Sequence, residues 1–176
     1  IDKLNAKLNG ITILKGIEVE ILADGRLDLP DSSLKELDVV IGAVHSHFKL
    51  SAAKQTERII KAMDNPYFNI LAHPTGRLIK ERQPYQINMA KLMQAAKERN
   101  CILEINSQPC RLDLNDIFCH LAKELGVKLA IDTDAHSVAG LDNLRFGIGQ
   151  ARRGWIEKKN VINTGNLRQL KKHLAR

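Results

Sequence analysis

At 176 residues and 44% apolar side chains, the chain is sized for one globular domain with a substantial core. Its longest apolar run, Val39 to Val44, is far too short to cross a bilayer, which argues against a membrane partner. The net charge of +7 is uneven: residues 145–176 carry nine Lys/Arg against one acid, Glu157, a distribution that suits either a polyanion such as DNA or a solvated terminal helix.

The three cysteines, Cys101, Cys110 and Cys119, form no CxxC pair, which fits reduced thiols in a cytoplasmic protein better than disulfides or a zinc knuckle. The sequence opens on Ile1-Asp2-Lys3 with neither an initiating Met nor a basic-then-apolar leader. A piece of a longer polypeptide without a secretory signal is therefore expected.

In chain order, β-branched runs predict strands near residues 11–22, 39–45, 69–73, 101–106, 127–134 and 160–163. Asp24-Gly25, between Ile21-Leu22 and Leu27, predicts a tight hairpin turn. Ala52 to Met63 has helical spacing and stops before Asn65-Pro66. Pro84 suits the first turn of a helix running to Arg99, with Ile87, Ala90, Met93 and Ala96 on one side. Asp113 predicts the N-cap of a helix carrying Ile117, Phe118, Leu121, Ala122 and Leu125 and ending at Gly126. Strand alternating with helix implies an α/β fold with a mostly parallel sheet, doubly wound or closed as a barrel. No Gly-rich phosphate loop follows a strand, since Gly147-Ile148-Gly149 follows a helical segment.

Five apolar segments end in metal-friendly side chains: Glu18, His45, His73, Glu104 and the cluster Asp132-Thr133-Asp134-Ala135-His136. Alternation points Glu18 and Glu20 the same way, as it does Glu104 and Asn106, and Asp132 and Asp134. Gathered carboxylates repel unless cations neutralise them, and mixed His/Asp/Glu ligation suits Zn²⁺, Mn²⁺ or Fe²⁺ better than Ca²⁺ or Mg²⁺. Phosphoester hydrolysis is a chemical reading of such a set. Arg77 and Arg111, just past strand ends, are candidate phosphate binders. His47 lies beyond its strand, and His120 and His173 sit in helical patterns, where surface positions are expected.

Gly16-Ile17-Glu18-Val19 with Asp24-Gly25, then Val44-His45-Ser46, Ala72-His73-Pro74, Glu104-Ile105-Asn106 and Asp132-Thr133-Asp134-Ala135-His136, occur in the order found in the polymerase and histidinol phosphatase (PHP) superfamily. Leu27-Asp28-Leu29-Pro30-Asp31, His73-Pro74-Thr75-Gly76-Arg77-Leu78, Arg111-Leu112-Asp113-Leu114 and Ala151-Arg152-Arg153-Gly154-Trp155 resemble the C-terminal PHP domain of bacterial family X DNA polymerases. The resemblance covers essentially all of the chain.

That resemblance implies a distorted (βα)₇ TIM-like barrel with up to three metals, Mn²⁺ or Zn²⁺, at its strand C-termini. Glu18 resembles the carboxylate bridging two metals. His45 and His73 resemble ligands of one, Asp134 a ligand of the other and His136 a ligand of the third, with Glu104 and Asp132 supporting them from behind. The implied activity is a 3′–5′ exonuclease on DNA ends in the bacterial cytoplasm and nucleoid, with a polymerase core upstream. The family's first motif, His-x-His, precedes Glu18, whereas residues 1–17 here contain no His. Residues 1–176 are thus expected to be one PHP-domain fragment of five to six C-terminal βα units, incomplete and weakly active or inactive alone. The alternatives are a small-molecule phosphatase of the histidinol-phosphate type and a non-catalytic module that holds DNA or supports a polymerase.

Overall fold

A computed structural model describes residues 1–175. In chain order the elements are α1 (Asp2–Asn5), β1 (Gly16–Glu20), α2 (Asp31–Leu34), β2 (Val39–Ala43), α3 (Ala52–Met63), β3 (Ile70–Leu71), α4 (Met89–Glu98), β4 (Ile102–Asn106), α5 (Asp116–Leu125), β5 (Leu129–Asp132), α6 (Leu144–Arg153) and α7 (Leu167–Leu174). Three 3₁₀ turns lie at Val138–Asn143, Lys158–Asn160 and Ile162–Thr164. The strands form one parallel sheet in the order β1-β2-β3-β4-β5, so each crossover leads to the adjacent strand.

This sequential order, rather than one reversed at the centre as in a doubly wound sheet, places every strand C-terminus along one rim. Register fixes the faces. Glu18 lies opposite Ile41, Ile41 opposite Ile70, and Ile70 opposite Ile102, so these four side chains share a face. The other face, with Val19, Val40, Leu71, Leu103, Ile105 and Leu129, forms the main core with Ile59 and Met63 of α3, Leu92, Met93 and Ala96 of α4, and Cys119 and Ala122 of α5. Gly42 is required within that core, because a Cβ there would stand 2.0 Å from Cε2 of the buried Phe68 ring.

A smaller cluster of Ile70, Ile102, Ala130, Ile162 and Leu174 fills the Glu18 face at its lower end. Here α7 closes the strand N-termini: Asn69 Nδ2, just before β3, donates to the Leu174 carbonyl at 2.8 Å, and Lys171 Nζ lies 3.5 Å from Asp38, just before β2.

The predicted helix Ala52–Met63 forms with those bounds, capped by the Ser51 hydroxyl. The Asp24-Gly25 hairpin forms too, with Leu22 N donating to Arg26 O at 2.8 Å and Ile21 bridging Leu27. Other expectations are corrected. The helix expected from Pro84 starts at Met89 behind an Asn88 cap and leaves Ala90 exposed. Residues 84–88 are held out of it by Tyr85, which is buried and bonds through its N–H to Thr75 O and through its hydroxyl to Pro74 O. Asn115, not Asp113, caps α5. Asp113 is fully buried and accepts instead from the Thr75 N–H and hydroxyl, both at 2.9 Å.

The strand expected at residues 160–163 reduces to one parallel bridge, Leu129 to Val161. The Asn163 side chain donates to Ile131 O at 2.6 Å and accepts from Ile131 N at 3.1 Å. It occupies the backbone groups a sixth strand would need, so the ladder stops.

Candidate metal centre

The site stands on the upper end of the Glu18 face, where β1, β2 and β3 deliver side chains to one rim. The Glu18 carboxylate is part-exposed on β1, His45 follows β2, and His73 follows β3. Oε1 of Glu18 lies 2.9 Å from His45 Nε2 and 3.5 Å from His73 Nε2. The two imidazole centroids are 5.3 Å apart. One ligand atom from each residue lies within 4.8 Å of the others, which lets a single cation touch all three.

His73 supplies the clearest test of fit. Its side chain is 1% exposed, and neither ring nitrogen has a hydrogen-bond partner among the described residues. Buried polar atoms are rarely left unmatched. A carboxylate oxygen and two imidazole nitrogens are a donor set for a divalent cation of the Zn²⁺ or Mn²⁺ type. The backbone of His73 is also unusual, with φ +27°, a region that L-residues seldom occupy without support. Support comes from Glu104, whose Oε2 accepts the His73 N–H.

Electrostatics follow from these contacts. His45 first, then His73, hold the Glu18 carboxyl far below the usual carboxylate range. Its contact with Glu18 raises the His45 imidazole above its ordinary value. Burial pushes both Glu104 and Asp132 upward, and the neighbouring Asp132 carboxyl raises Glu104 further. Burial and mutual repulsion oppose ionising both carboxyls at once.

At the β5 end the arrangement is looser. Asp134, in the left-handed region at φ +47°, accepts from Asn106 Nδ2 at 3.4 Å and lies 3.8 Å from Arg111 Nε. His136 is 88% exposed, with Nδ1 2.8 Å from the Asp134 carbonyl. The compact triad therefore contains Glu18, His45 and His73, but neither Asp134 nor His136. Gln108 Nε2 pins this turn by donating to the carbonyls of Thr133 at 2.6 Å and Asp134 at 2.9 Å. Beside it lies a cavity of about 560 Å³ lined by Gln108, Arg111, Asp134, His136, Ser137 and Asn143.

The two candidate arginines differ. Arg77 spends its guanidinium on carbonyls, Nε to Arg111 O at 2.7 Å and Nη2 to Leu112 O, and so braces the loop. Arg111 faces Asp134, and its buried Nη1 has no partner among the described residues. The basic charge of α7 lies at the opposite, N-terminal end of the sheet, where Lys97, Lys128, Lys172 and His173 surround a cavity of about 530 Å³. His47 and His120 are exposed, the latter 3.3 Å from Glu124.

Glu20, Arg58 and Gln108 were not singled out as site residues from the sequence. The signal for Arg58 was a charged residue among Gln55, Thr56 and Ile59 on the buried side of a helix.

No protein-family model matches the chain. Among curated proteins, it is 43% identical over 176 residues to the DNA polymerase/3'-5' exonuclease PolX of Bacillus subtilis strain 168, which covers 100% of this chain and 31% of that protein. It is 35% identical over 171 residues to a protein named as a probable phosphatase from Thermoanaerobacter sp. strain X514, covering 92% of this chain and 67% of that protein. A protein of the same description from Caldanaerobacter subterraneus subsp. tengcongensis is 36% identical over 140 residues, covering 74% and 53%.

A parallel α/β domain with acids and imidazoles along its strand C-terminal rim is the class that fold and site define. The chain belongs to the polymerase and histidinol phosphatase (PHP) superfamily, with the Bacillus subtilis family X polymerase and these phosphatases among its relatives.

Proposed function

We propose that the chain carries a metal-dependent phosphoesterase site that acts as a 3′–5′ exonuclease on DNA ends within a bacterial, cytoplasmic family X polymerase. The observation that carries this reading is the Glu18–His45–His73 triad, with neither nitrogen of the buried His73 hydrogen-bonded among the described residues. The identity to PolX supports the exonuclease form of the activity. The five strands form an arc of a (βα)₇ barrel, and residues 1–176 are part of one PHP domain. A polymerase core lies upstream in the same polypeptide, and the site serves DNA at the nucleoid.

A Mn²⁺ or Zn²⁺ ion held by Glu18, His45 and His73 supplies Lewis-acid polarisation of water and of the phosphoryl group. Asp134 and His136 are ligands for further ions, up to three in the complete domain. Glu104 holds His73 in its strained backbone conformation, and Asp132 stands beside Glu104. Arg111, which lines the cavity beside Asp134, binds a non-bridging phosphate oxygen. Arg77 keeps the Arg111 loop in place through its two carbonyl contacts. Among the described residues there is a single compact triad, which supports slow turnover or none by residues 1–176 alone.

The test is degradation of a 5′-labelled single-stranded oligonucleotide with Mn²⁺ by the chain joined to its natural upstream sequence. Shortening from the 3′ end, abolished by Asp134→Ala with His136→Ala, is expected. Faster turnover of histidinol phosphate than of DNA would favour the small-molecule phosphatase, a reading that the phosphatase relatives support. Metal-free protein that still holds DNA would identify a non-catalytic module.

A further inference from the structure

The two imidazoles of the triad are held by different means. His73 is 1% exposed, so packing fixes its ring, whereas His45 is 47% exposed and needs a hydrogen bond to fix its rotation. Glu20 supplies it. This residue shares a strand face with Glu18, and its Oε2 lies 3.0 Å from His45 Nδ1 and accepts the His45 backbone N–H at 2.9 Å.

The other end of the carboxylate is fixed as firmly. Oε1 of Glu20 accepts from the Ser46 hydroxyl and from Arg58 Nη2 at 3.2 Å. Arg58 is 2% exposed on α3 and also donates from Nε to Leu22 O at 2.8 Å, from Nη1 to Ser46 O at 2.9 Å and from Nη2 to Ile21 O. A buried guanidinium tolerates this environment only when its donors are taken and its charge is matched. Arg58 thus ties the turn after β1 to the loop after β2, with Glu20 between them.

On the reading that Glu18, His45 and His73 hold a divalent cation, we propose that Glu20, locked by Arg58, is the positioning residue that turns His45 Nε2 toward Glu18. An imidazole binds a cation through one nitrogen when the other donates its proton to a fixed acceptor. With Nδ1–H given to Glu20, the nitrogen 2.9 Å from Glu18 Oε1 is the one left for the ion.

The test is Mn²⁺ titration of the 176-residue chain by isothermal calorimetry, comparing the wild type with Glu20→Gln, Glu20→Asp and Leu92→Ala. Glu20→Gln keeps an acceptor at full reach but loses the charge opposite Arg58. Glu20→Asp keeps the charge but is too short to serve both Arg58 and His45. Positioning predicts that Asp weakens Mn²⁺ binding about 10- to 100-fold, that Gln binds more tightly than Asp, and that the core change Leu92→Ala stays within about twofold of wild type. A structural role through Arg58 predicts the reverse order, and Asp binding as tightly as wild type or tighter than Gln overturns the proposal. Wild-type protein that binds no Mn²⁺ overturns the triad reading itself, and this proposal with it.

Discussion

His73 Nε2 faces Glu18 Oε1 at 3.5 Å although β2 separates the strands that carry them. The approach is possible because His73 lies just past the short β3, where a left-handed backbone turns its ring over the rim. Under the proposed reading, a cation completes this buried imidazole.

Cation binding at this site would then stabilise the fold. A ligand that binds only the native state adds about 2.7 kcal/mol at one hundred times its dissociation constant. Thermal unfolding of EDTA-treated protein is expected to shift upward by several degrees on adding Mn²⁺ or Zn²⁺, and the shift to vanish in Glu18→Ala. An equal shift in that variant would show that the ion binds elsewhere.

The two arginines separate by experiment. Arg77→Ala removes charge-assisted hydrogen bonds to two carbonyls and is expected to lower stability by about 1–3 kcal/mol in urea unfolding. In the complete enzyme, Arg111→Ala is expected to leave stability within about 1 kcal/mol of wild type. Its kcat/KM on DNA should fall on the order of 10- to 100-fold. Arg111→Ala with unchanged kcat/KM would remove it from the phosphate site.

Asp113 sets a local pH dependence. Burial raises its carboxyl above the ordinary value of 3.8, against the pull of the Thr75 hydrogen bonds. Between the unfolded and folded pKa values the native state binds the proton more tightly, so this group's contribution is fully present below the unfolded pKa. It is lost as pH rises through the folded one. Asp113→Asn is expected to remove that part of the slope, making the variant's stability relative to wild type improve as pH rises from 4 toward neutrality. Parallel curves for the two proteins would contradict this.

Thiol chemistry checks the packing independently. Cys110 is exposed, whereas Cys101 and Cys119 are buried, and burial pushes the Cys119 thiol up to about 12. Iodoacetamide at pH 8 is expected to label one cysteine rapidly in native protein and all three in denaturant, with peptide mapping placing the fast label on Cys110.

The strands were legible because each short β-branched run ends in a chemically distinctive residue, and the sequential sheet brings those endings to one rim. What sequence could not settle was competition between equivalent local signals. Asp113 and Asn115 are both good caps, and Thr75, remote in sequence, took Asp113 for another purpose. Val161-Ile162 has strand character, yet one Asn163 side chain occupies the backbone it needed. Glu20 was visible as a neighbour of Glu18, but its role depends on Arg58 arriving from α3. The gathering of Glu18, His45 and His73 agrees with the spacing of the motifs, while the openness of His136 does not follow from sequence.

The most direct measurement is anomalous diffraction from crystals of the chain soaked in Mn²⁺. The account predicts a peak bounded by Glu18 Oε1, His45 Nε2 and His73 Nε2, lost in His73→Ala crystals. No peak there at millimolar Mn²⁺, or one that persists in His73→Ala, would contradict it.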